Sequence, residues 1–206
     1  MMTRRLLAAA GIAATIMVGT AGTASAAPIS TGHVDVVDVD YASGALTVQL
    51  LDSAGTEREP STVELVVLPG ARTTVPNNAA YAFLGAPGDP VWILPQTQNA
   101  NLLWAGWNST DVPSGTFQPN SLQLSLVGVT GGELAIYQTS LGGPTVLFDS
   151  GNGLPDNRPF ATGAHTHANW SFDGPGTYTV TFRVSGTLIS GATVSDEATY
   201  TFTVQA

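Results

Sequence analysis

The chain has 206 residues, of which 15 are acidic and six are arginine, and it contains neither lysine nor cysteine. Without cysteine there are no disulfide bonds or thiolate ligands, so a metal ion would need His, Asp, Glu or backbone oxygen. Residues 27–206 hold all 15 acids and four arginines, a formal charge of 4 − 15 = −11. This charge repels phosphate backbones, which excludes nucleic acid as a favoured partner, and it attracts cations. The alternative is that the acidity only keeps the protein soluble.

Residues 1–26 have the features of a secretory signal peptide. Arg4 and Arg5 precede an apolar run over residues 6–18, and Ala24-Ser25-Ala26 is a small-residue cleavage site, so we expect cleavage after Ala26. The apolar run falls short of the roughly 20 residues that a membrane-spanning helix needs, which disfavours the alternative of a membrane anchor. No later stretch is apolar enough to span. The sequence therefore predicts a secreted, extracellular protein with no membrane span in the mature chain.

The mature chain is predicted to be all β. Short apolar-alternating segments are separated by Gly, Pro, Asn, Asp and Ser, a pattern typical of a sandwich of about ten to twelve strands. The clearest predicted strands, in chain order, are 33–41, 45–52, 62–68, 91–94, 121–129, 133–139, 145–148, 179–184 and 193–204. The turn Ala42-Ser43-Gly44 joins the first two of these as a hairpin.

Two segments lack this alternation. Residues 75–115 carry Trp92, Trp104 and Trp107 among many prolines and asparagines, which predicts a long insertion. Its aromatic residues would cap the sandwich as core, which the apolar run at residues 91–94 favours, or else form an exposed sugar-stacking surface. Residues 149–162 are rich in Asp, Asn and Gly but lack the spacing of a calcium loop, so we expect a polar connector.

The end of the chain favours an immunoglobulin-like fold. Asp173-Gly174-Pro175-Gly176-Thr177-Tyr178 leads into a strand, and Tyr178 is predicted to be a corner residue whose hydroxyl bonds back to the backbone. We therefore expect one domain over residues 27–206, an enlarged antiparallel β-sandwich. Two tandem small domains are the alternative, but there is no convincing internal repeat.

The three histidines predict a metal site. His165 and His167 are two residues apart, as are His33 and Asp35, and alternate residues of a strand share a face. If the first strand pairs beside the His-x-His strand, the four side chains converge. Three imidazoles and a carboxylate without sulfur suit zinc best, with manganese, copper or nickel as alternatives. The competing interpretation is that His165 and His167 are surface residues of a strand and that His33 is a disordered N-terminal residue.

Several unusual motifs occur together along the mature chain. They are His33-Val34-Asp35, Asp38-x-Asp40-Tyr41, AFLG at 82–85, PVWILPQ at 90–96, LWAGW at 103–107, and the ending H-x-H-x-N-W-x-F followed by P-G-x-Y. In these the chain resembles the choice-of-anchor M domain proteins of actinobacterial surfaces, and the ending resembles their surface-anchored repeat. The resemblance implies an exported protein, encoded beside ABC transporters that resemble metal importers, with no assigned enzymatic activity. It places the family's histidine motifs on His33, His165 and His167.

Three functions follow as hypotheses. The first is a secreted, cell-surface-associated domain that binds a divalent metal for an importer, with a transporter's substrate-binding protein or a cell-wall component as partner. The second is a structural or adhesive wall module that contacts glycans and binds no metal. The third is a metal-dependent hydrolase, since a site of three histidines with an open position can activate water. The sequence contains no nucleophile elbow and no H-E-x-x-H motif, so we predict that the protein is not an enzyme.

Overall fold

The computed structural model describes residues 26–206, which form sixteen strands and four short 3₁₀ helices. The strands are β1 (Ala27–Ile29), β2 (Gly32–Ala42), β3 (Ala45–Asp52), β4 (Glu57–Arg58), β5 (Val63–Val67), β6 (Arg72–Thr74), β7 (Pro90–Leu94) and β8 (Leu103–Asn108). They continue with β9 (Phe117–Thr130), β10 (Leu134–Ser140), β11 (Gly143–Asp149), β12 (Asp156–Ala161), β13 (His165–His167), β14 (Asn169–Phe172), β15 (Gly176–Leu188) and β16 (Thr193–Val204). The 3₁₀ helices are Pro60–Thr62, Pro69–Ala71, Ala79–Leu84 and Ser150–Asn152. The predicted signal peptide, apart from Ala26, lies outside the described residues.

The strands form three sheets, which confirms the predicted all-β sandwich class. The six-stranded sheet has the order β1-β5-β16-β15-β9-β12, and the two five-stranded sheets have the orders β11-β10-β14-β7-β6 and β13-β8-β2-β3-β4. The expectation of a purely antiparallel arrangement is wrong, because β1–β5, β5–β16 and β2–β8 pair in parallel. The closer likeness to an immunoglobulin fold stays a prediction.

The predicted first hairpin is confirmed. Ala42 of β2 pairs with Ala45 of β3, and the two residues between them, Ser43 and Gly44, have φ angles of 53° and 85°. A two-residue turn with positive φ at both positions matches the twist of the flanking strands, and Gly44 adopts it without steric cost. This tight turn fixes the register of β2 against β3.

The Trp-rich segment 75–115 contributes to the core. It contains β7 and β8, and β8 lies in the interior of its sheet rather than in an insertion. All six residues of β8 are buried or half-buried, so both of its faces are covered and it shows no alternation that would reveal a strand. Trp92 and Trp107 are buried, and Trp104 is half-buried. No tryptophan of the chain is exposed in the described residues 26–206, which supports the predicted core role over a sugar-stacking surface.

The polar stretch 149–162 is more than a connector. It supplies β12, which pairs antiparallel with β9 at the edge of the six-stranded sheet. Only Phe160 of this strand is fully buried, and Pro159 is tolerated because an edge strand need not donate a hydrogen bond on its outer side. The Arg158 guanidinium donates to the carbonyl oxygens of Leu147 and Val146, so it ties β12 to β11 in a neighbouring sheet.

One apolar core extends across the three sheets. The centroid of the Trp170 ring in β14 lies 5.7 Å from that of Phe182 and 5.8 Å from that of Phe202, both in the six-stranded sheet. Trp107 of β8 in turn lies 6.5 Å from Trp170. Burial of such aromatic side chains is the main favourable term in the folding of the domain. Within residues 26–206 there is no helix with the length and apolar character needed to cross a membrane.

The Tyr178 hydroxyl makes the predicted return to the backbone. Its Oη lies 2.7 Å from the carbonyl oxygen of Gly174 and 2.6 Å from Oδ1 of Asp173, and the Gly174 N–H donates to it over 3.0 Å. Burial raises the pKa of Tyr178, and the Asp173 acceptor raises it further. The hydroxyl therefore stays protonated and fastens the turn that begins β15.

Replacing Tyr178 with Phe tests this corner. The Gly174 N–H and the Asp173 carboxylate would lose a buried partner, so the free energy of unfolding should fall by about 1–3 kcal/mol. The measurement is urea unfolding of the mature protein. Tyr41→Phe is the matched control, because the Tyr41 hydroxyl makes no hydrogen bond within residues 26–206, while its half-buried ring packs against the core and lies edge-on to Phe117. If the two variants had equal free energies of unfolding, the Tyr178 hydrogen bonds would not contribute to stability and the prediction would be wrong.

Candidate metal centre

The two histidine motifs come together across an intervening strand. The expectation that the first strand pairs directly with the His-x-His strand is wrong, because β8 lies between β2 and β13. Along β8, His33 is paired with Trp104, and both Asp35 and His167 are paired with Gly106. The predicted residues thus lie on the same face of a three-strand unit, one strand further apart than predicted.

Gly106 makes this convergence possible. A Cβ atom at this position would lie 2.6 Å from the carbonyl oxygen of Thr166, and 2.7 Å and 2.8 Å from Nδ1 and Cε1 of the His167 ring. Real Cβ atoms do not approach other atoms so closely, so any side chain here would displace β13 or the imidazole. The missing side chain leaves the space in which His167 lies over the middle strand toward β2.

A buried serine positions the edge strand. Ser109 follows β8 directly, and its N–H donates to the carbonyl oxygen of Ala164 over 2.9 Å. The Ala164 N–H donates to Ser109 Oγ over 3.1 Å, and that hydroxyl also contacts the carbonyl oxygen of Ala161 at 2.8 Å. These bonds close the turn before β13 and satisfy backbone groups that would otherwise be unpaired. They fix the position of His165, the first residue of β13.

A β-bulge in β2 keeps its acids on one face. The register of β2 shifts between Asp35 and Asp38, and both Val36 and Val37 are fully buried. The extra residue of a bulge reverses the alternation that follows it. Asp35 and Asp38 therefore share a face although they are three residues apart. Without the bulge Asp38 would point into the apolar core.

The ligand atoms lie at chelating distances. His33 Nε2 is 3.2 Å from His165 Nε2, His165 Nε2 is 2.9 Å from Asp35 Oδ1, and His33 Nε2 is 3.6 Å from that same oxygen. One ligand atom from each of these residues and from His167 lies within 4.8 Å of all the others. Ligands of a tetrahedral zinc ion at 2.0–2.1 Å are about 3.3 Å apart, so the first three distances bracket that spacing.

These contacts are hard to satisfy with protons alone. A ring nitrogen carries either one hydrogen or one lone pair, yet His165 Nε2 is within hydrogen-bonding distance of both His33 Nε2 and Asp35 Oδ1. A cation at the common centre would accept all three lone pairs at once. The four residues could therefore hold a metal ion, which is the arrangement that the sequence predicts.

His167 is the most constrained of the four. Its ring is stacked on the Trp104 indole, with ring centroids 3.7 Å apart and planes 11° from parallel. Both of its ring nitrogens are buried without a partner in hydrogen-bonding geometry. Burial lowers the pKa of His167 to about 4, and the nearby Ala105 carbonyl opposes this only in part. The imidazole is therefore neutral at pH 7, the form that binds a metal.

Asp35 is a buried carboxylate without a permanent positive partner. It is 1% exposed, and within residues 26–206 its ion-pair contacts are with His33 and His165. Burial raises the pKa of Asp35, and positive charge on those two histidines would lower it. Burying a charge without compensation is costly, so a cation at this site would stabilise the ionised carboxylate.

A second buried acid lies beside the cluster without joining it. Asn108 Nδ2 donates to Asp38 Oδ1 over 2.8 Å, and burial is the main cause that raises the pKa of Asp38 to about 6. Sequence reasoning missed this residue, together with Gly106 and Trp104. The one available signal was the glycine in the apolar run Trp104-Ala105-Gly106-Trp107, since a glycine inside a strand often marks a site where another part of the chain approaches the backbone closely.

Replacing Gly106 with Ala should disrupt the site and lower the free energy of unfolding by about 1–3 kcal/mol, the usual cost of overpacking. Urea unfolding of the metal-free protein measures this. Gly128→Ala is the matched control, because a Cβ there would meet its nearest atom, Cβ of Thr181, at an ordinary 3.6 Å. If both alanines had equally small effects, the space at Gly106 would not be what admits His167.

The pKa of His167 predicts a pH effect in metal-free protein. Because the folded value of about 4 lies below the ordinary value of 6.5, the unfolded chain takes up a proton first as the pH falls. Stability is therefore lost between pH 6.5 and 4, by up to roughly 3 kcal/mol relative to His167→Gln. The raised pKa values of Asp35 and Asp38 act in the opposite direction but are common to both proteins. Parallel unfolding free energies across this range would contradict the assignment.

Comparison with known proteins gives no relative from which a function for this site could be inferred. No family model, no curated protein and no solved structure matches the chain. The resemblance to choice-of-anchor M domain proteins stays a prediction.

Proposed function

We propose that this is an exported, non-enzymatic protein that binds one divalent transition-metal cation, zinc, through His33, Asp35, His165 and His167. The observation that carries the proposal is the convergence of four ligand atoms within 4.8 Å of one another. The neutral, unpartnered nitrogens of His167 and the uncompensated charge of Asp35 support it. A cation would accept the lone pair of the His167 ring and would balance the negative charge of the Asp35 carboxylate.

The donor set supports zinc above other metals. Three imidazole nitrogens and one carboxylate oxygen suit the borderline character of Zn²⁺ and its tetrahedral geometry. Manganese prefers more oxygen donors, and copper(I) prefers sulfur, which the cysteine-free chain does not offer at the site. Copper(II) and nickel share the preference for imidazole, so they are the competitors that a binding experiment must include.

The biological role follows from the family resemblance. If the chain is a choice-of-anchor M domain protein, it is held at the cell surface and supplies or buffers the cation for a metal-type ABC transporter. Its partner would be that transporter's substrate-binding protein or a cell-wall component. The formal charge of −11 over residues 27–206 supports this role, because an acidic surface raises the local concentration of cations.

Calorimetric titration of zinc, nickel, copper and manganese into chelator-treated, untagged protein tests the proposal. We expect one zinc ion per chain with a micromolar or tighter dissociation constant. His167→Ala and Asp35→Asn should each weaken binding by about tenfold or more. Asp38→Asn is the matched control on the same strand, because this buried acid lies outside the four-residue cluster, and its zinc affinity should stay close to that of the wild type.

Two outcomes would contradict the proposal. One is the absence of zinc binding by the wild type, in which case a structural or adhesive wall module becomes the better account. The other is equal affinity in the wild type and in His167→Ala, which would locate any binding elsewhere on the acidic surface.

Bound cation should also raise the melting temperature of the wild type, because it binds only the folded state.

A further inference from the structure

The four ligands differ in how far solvent reaches them. The side chains of His165 and His33 are 42% and 25% exposed, whereas that of Asp35 is 2% exposed. His167 is half-buried as a residue, like His33, but its two ring nitrogens are inaccessible to solvent. The site therefore has an inner pair, Asp35 and His167, and an outer pair, His33 and His165.

The inner pair is fixed by the structure around it. Asp35 belongs to β2, which is paired on both sides by β3 and β8. His167 is held between the backbone at Gly106 and the face of the Trp104 indole, and the Gln138 amide donates to its carbonyl oxygen over 3.0 Å. Neither ligand can leave a bound ion without disturbing the sheet.

Of the outer pair, His165 is the freer to move, whereas the His33 ring also lies edge-on to Trp104. His165 is the first residue of β13, a three-residue strand at the edge of its sheet. The contacts of its ring are with other members of the cluster: His33, Asp35 and His167. Rotation of the His165 side chain toward solvent thus breaks no packing with the core.

The apolar core does not depend on the cluster. Val34, Ala105 and Trp107 of the site strands belong to the buried apolar core that joins the three sheets, so apolar packing holds these strands in place. The strands β2 and β8 are already held by hydrogen bonds along their length. A cation here is consequently not needed to hold the sheets together.

We infer that the cation is exchanged by ligand substitution on the His33/His165 face, with Asp35 and His167 retaining it until the last step. This inference rests on the proposed function and deepens it. An incoming donor group, an imidazole or carboxylate of a partner protein, replaces the His165 nitrogen first and the His33 nitrogen second. Each step exchanges one metal–ligand bond for another, and no electron is transferred.

The test is stopped-flow transfer of zinc from the loaded protein to EDTA at increasing EDTA concentrations. Substitution at an open face predicts a rate that rises in proportion to EDTA concentration. His165→Ala should still bind zinc and should transfer it faster by about tenfold or more, the scale of effect that lost contacts at metal sites have. Asp38→Asn, as control, should transfer at the wild-type rate.

The outcomes separate the inference from the proposed function. A rate that does not depend on EDTA concentration, or an unchanged rate in His165→Ala, would overturn the exchange face while leaving zinc binding intact. A wild-type protein that cannot be loaded with zinc would overturn the proposed function and this inference with it. A metal-free protein that has lost its β-sheet circular dichroism spectrum would also overturn the inference, because the cation would then be structural.

Discussion

A carboxylate buried in the middle of a sheet is the constraint on which the candidate site depends. Asp35 is almost inaccessible to water, and the side chains in ion-pair contact with it are the imidazoles of His33 and His165. A chain without lysine has few other ways to compensate such a charge. The buried carboxylate of Asp35 needs a compensating charge, and neutral His167 has one nitrogen lone pair without a partner. A small cation at their common centre would satisfy both groups.

The fold meets this constraint with ordinary devices. The bulge in β2 places Asp35 and Asp38 on one face of the sheet. Hydrogen bonds from Ser109 position β13, and Gly106 provides a site on the middle strand without a side chain. Each feature is local, yet together they bring residues 130 and 132 positions apart into contact. The six-stranded sheet has no part in the ligand set and supplies much of the core instead. The candidate ligands and the six-stranded sheet therefore occupy different regions of the structure.

Much of this could be predicted from sequence where the pattern is local. The spacing of His165 and His167, the hairpin at Ser43-Gly44 and the Tyr178 corner each depend on a few adjacent residues, and each has the expected geometry in the structure. Strand β8 could not be predicted, because burial on both faces removes the alternation that reveals a strand. The same strand separates β2 from β13, so the error in the site followed from the error in the fold. Strand β12 was missed for the opposite reason, since an exposed edge strand has the composition of a loop.

The stacked pair of Trp104 and His167 has an optical consequence. Indole emission responds to nearby charge, and the centroid of the Trp104 ring lies 3.7 Å from that of the His167 imidazole. The Trp104 N–H donates to the carbonyl oxygen of Gln96 over 2.8 Å, which holds the ring in a single orientation. The other three tryptophans are buried in the core. The half-buried Trp104 is therefore an intrinsic fluorophore at the candidate site, and its emission would report a bound cation without a label.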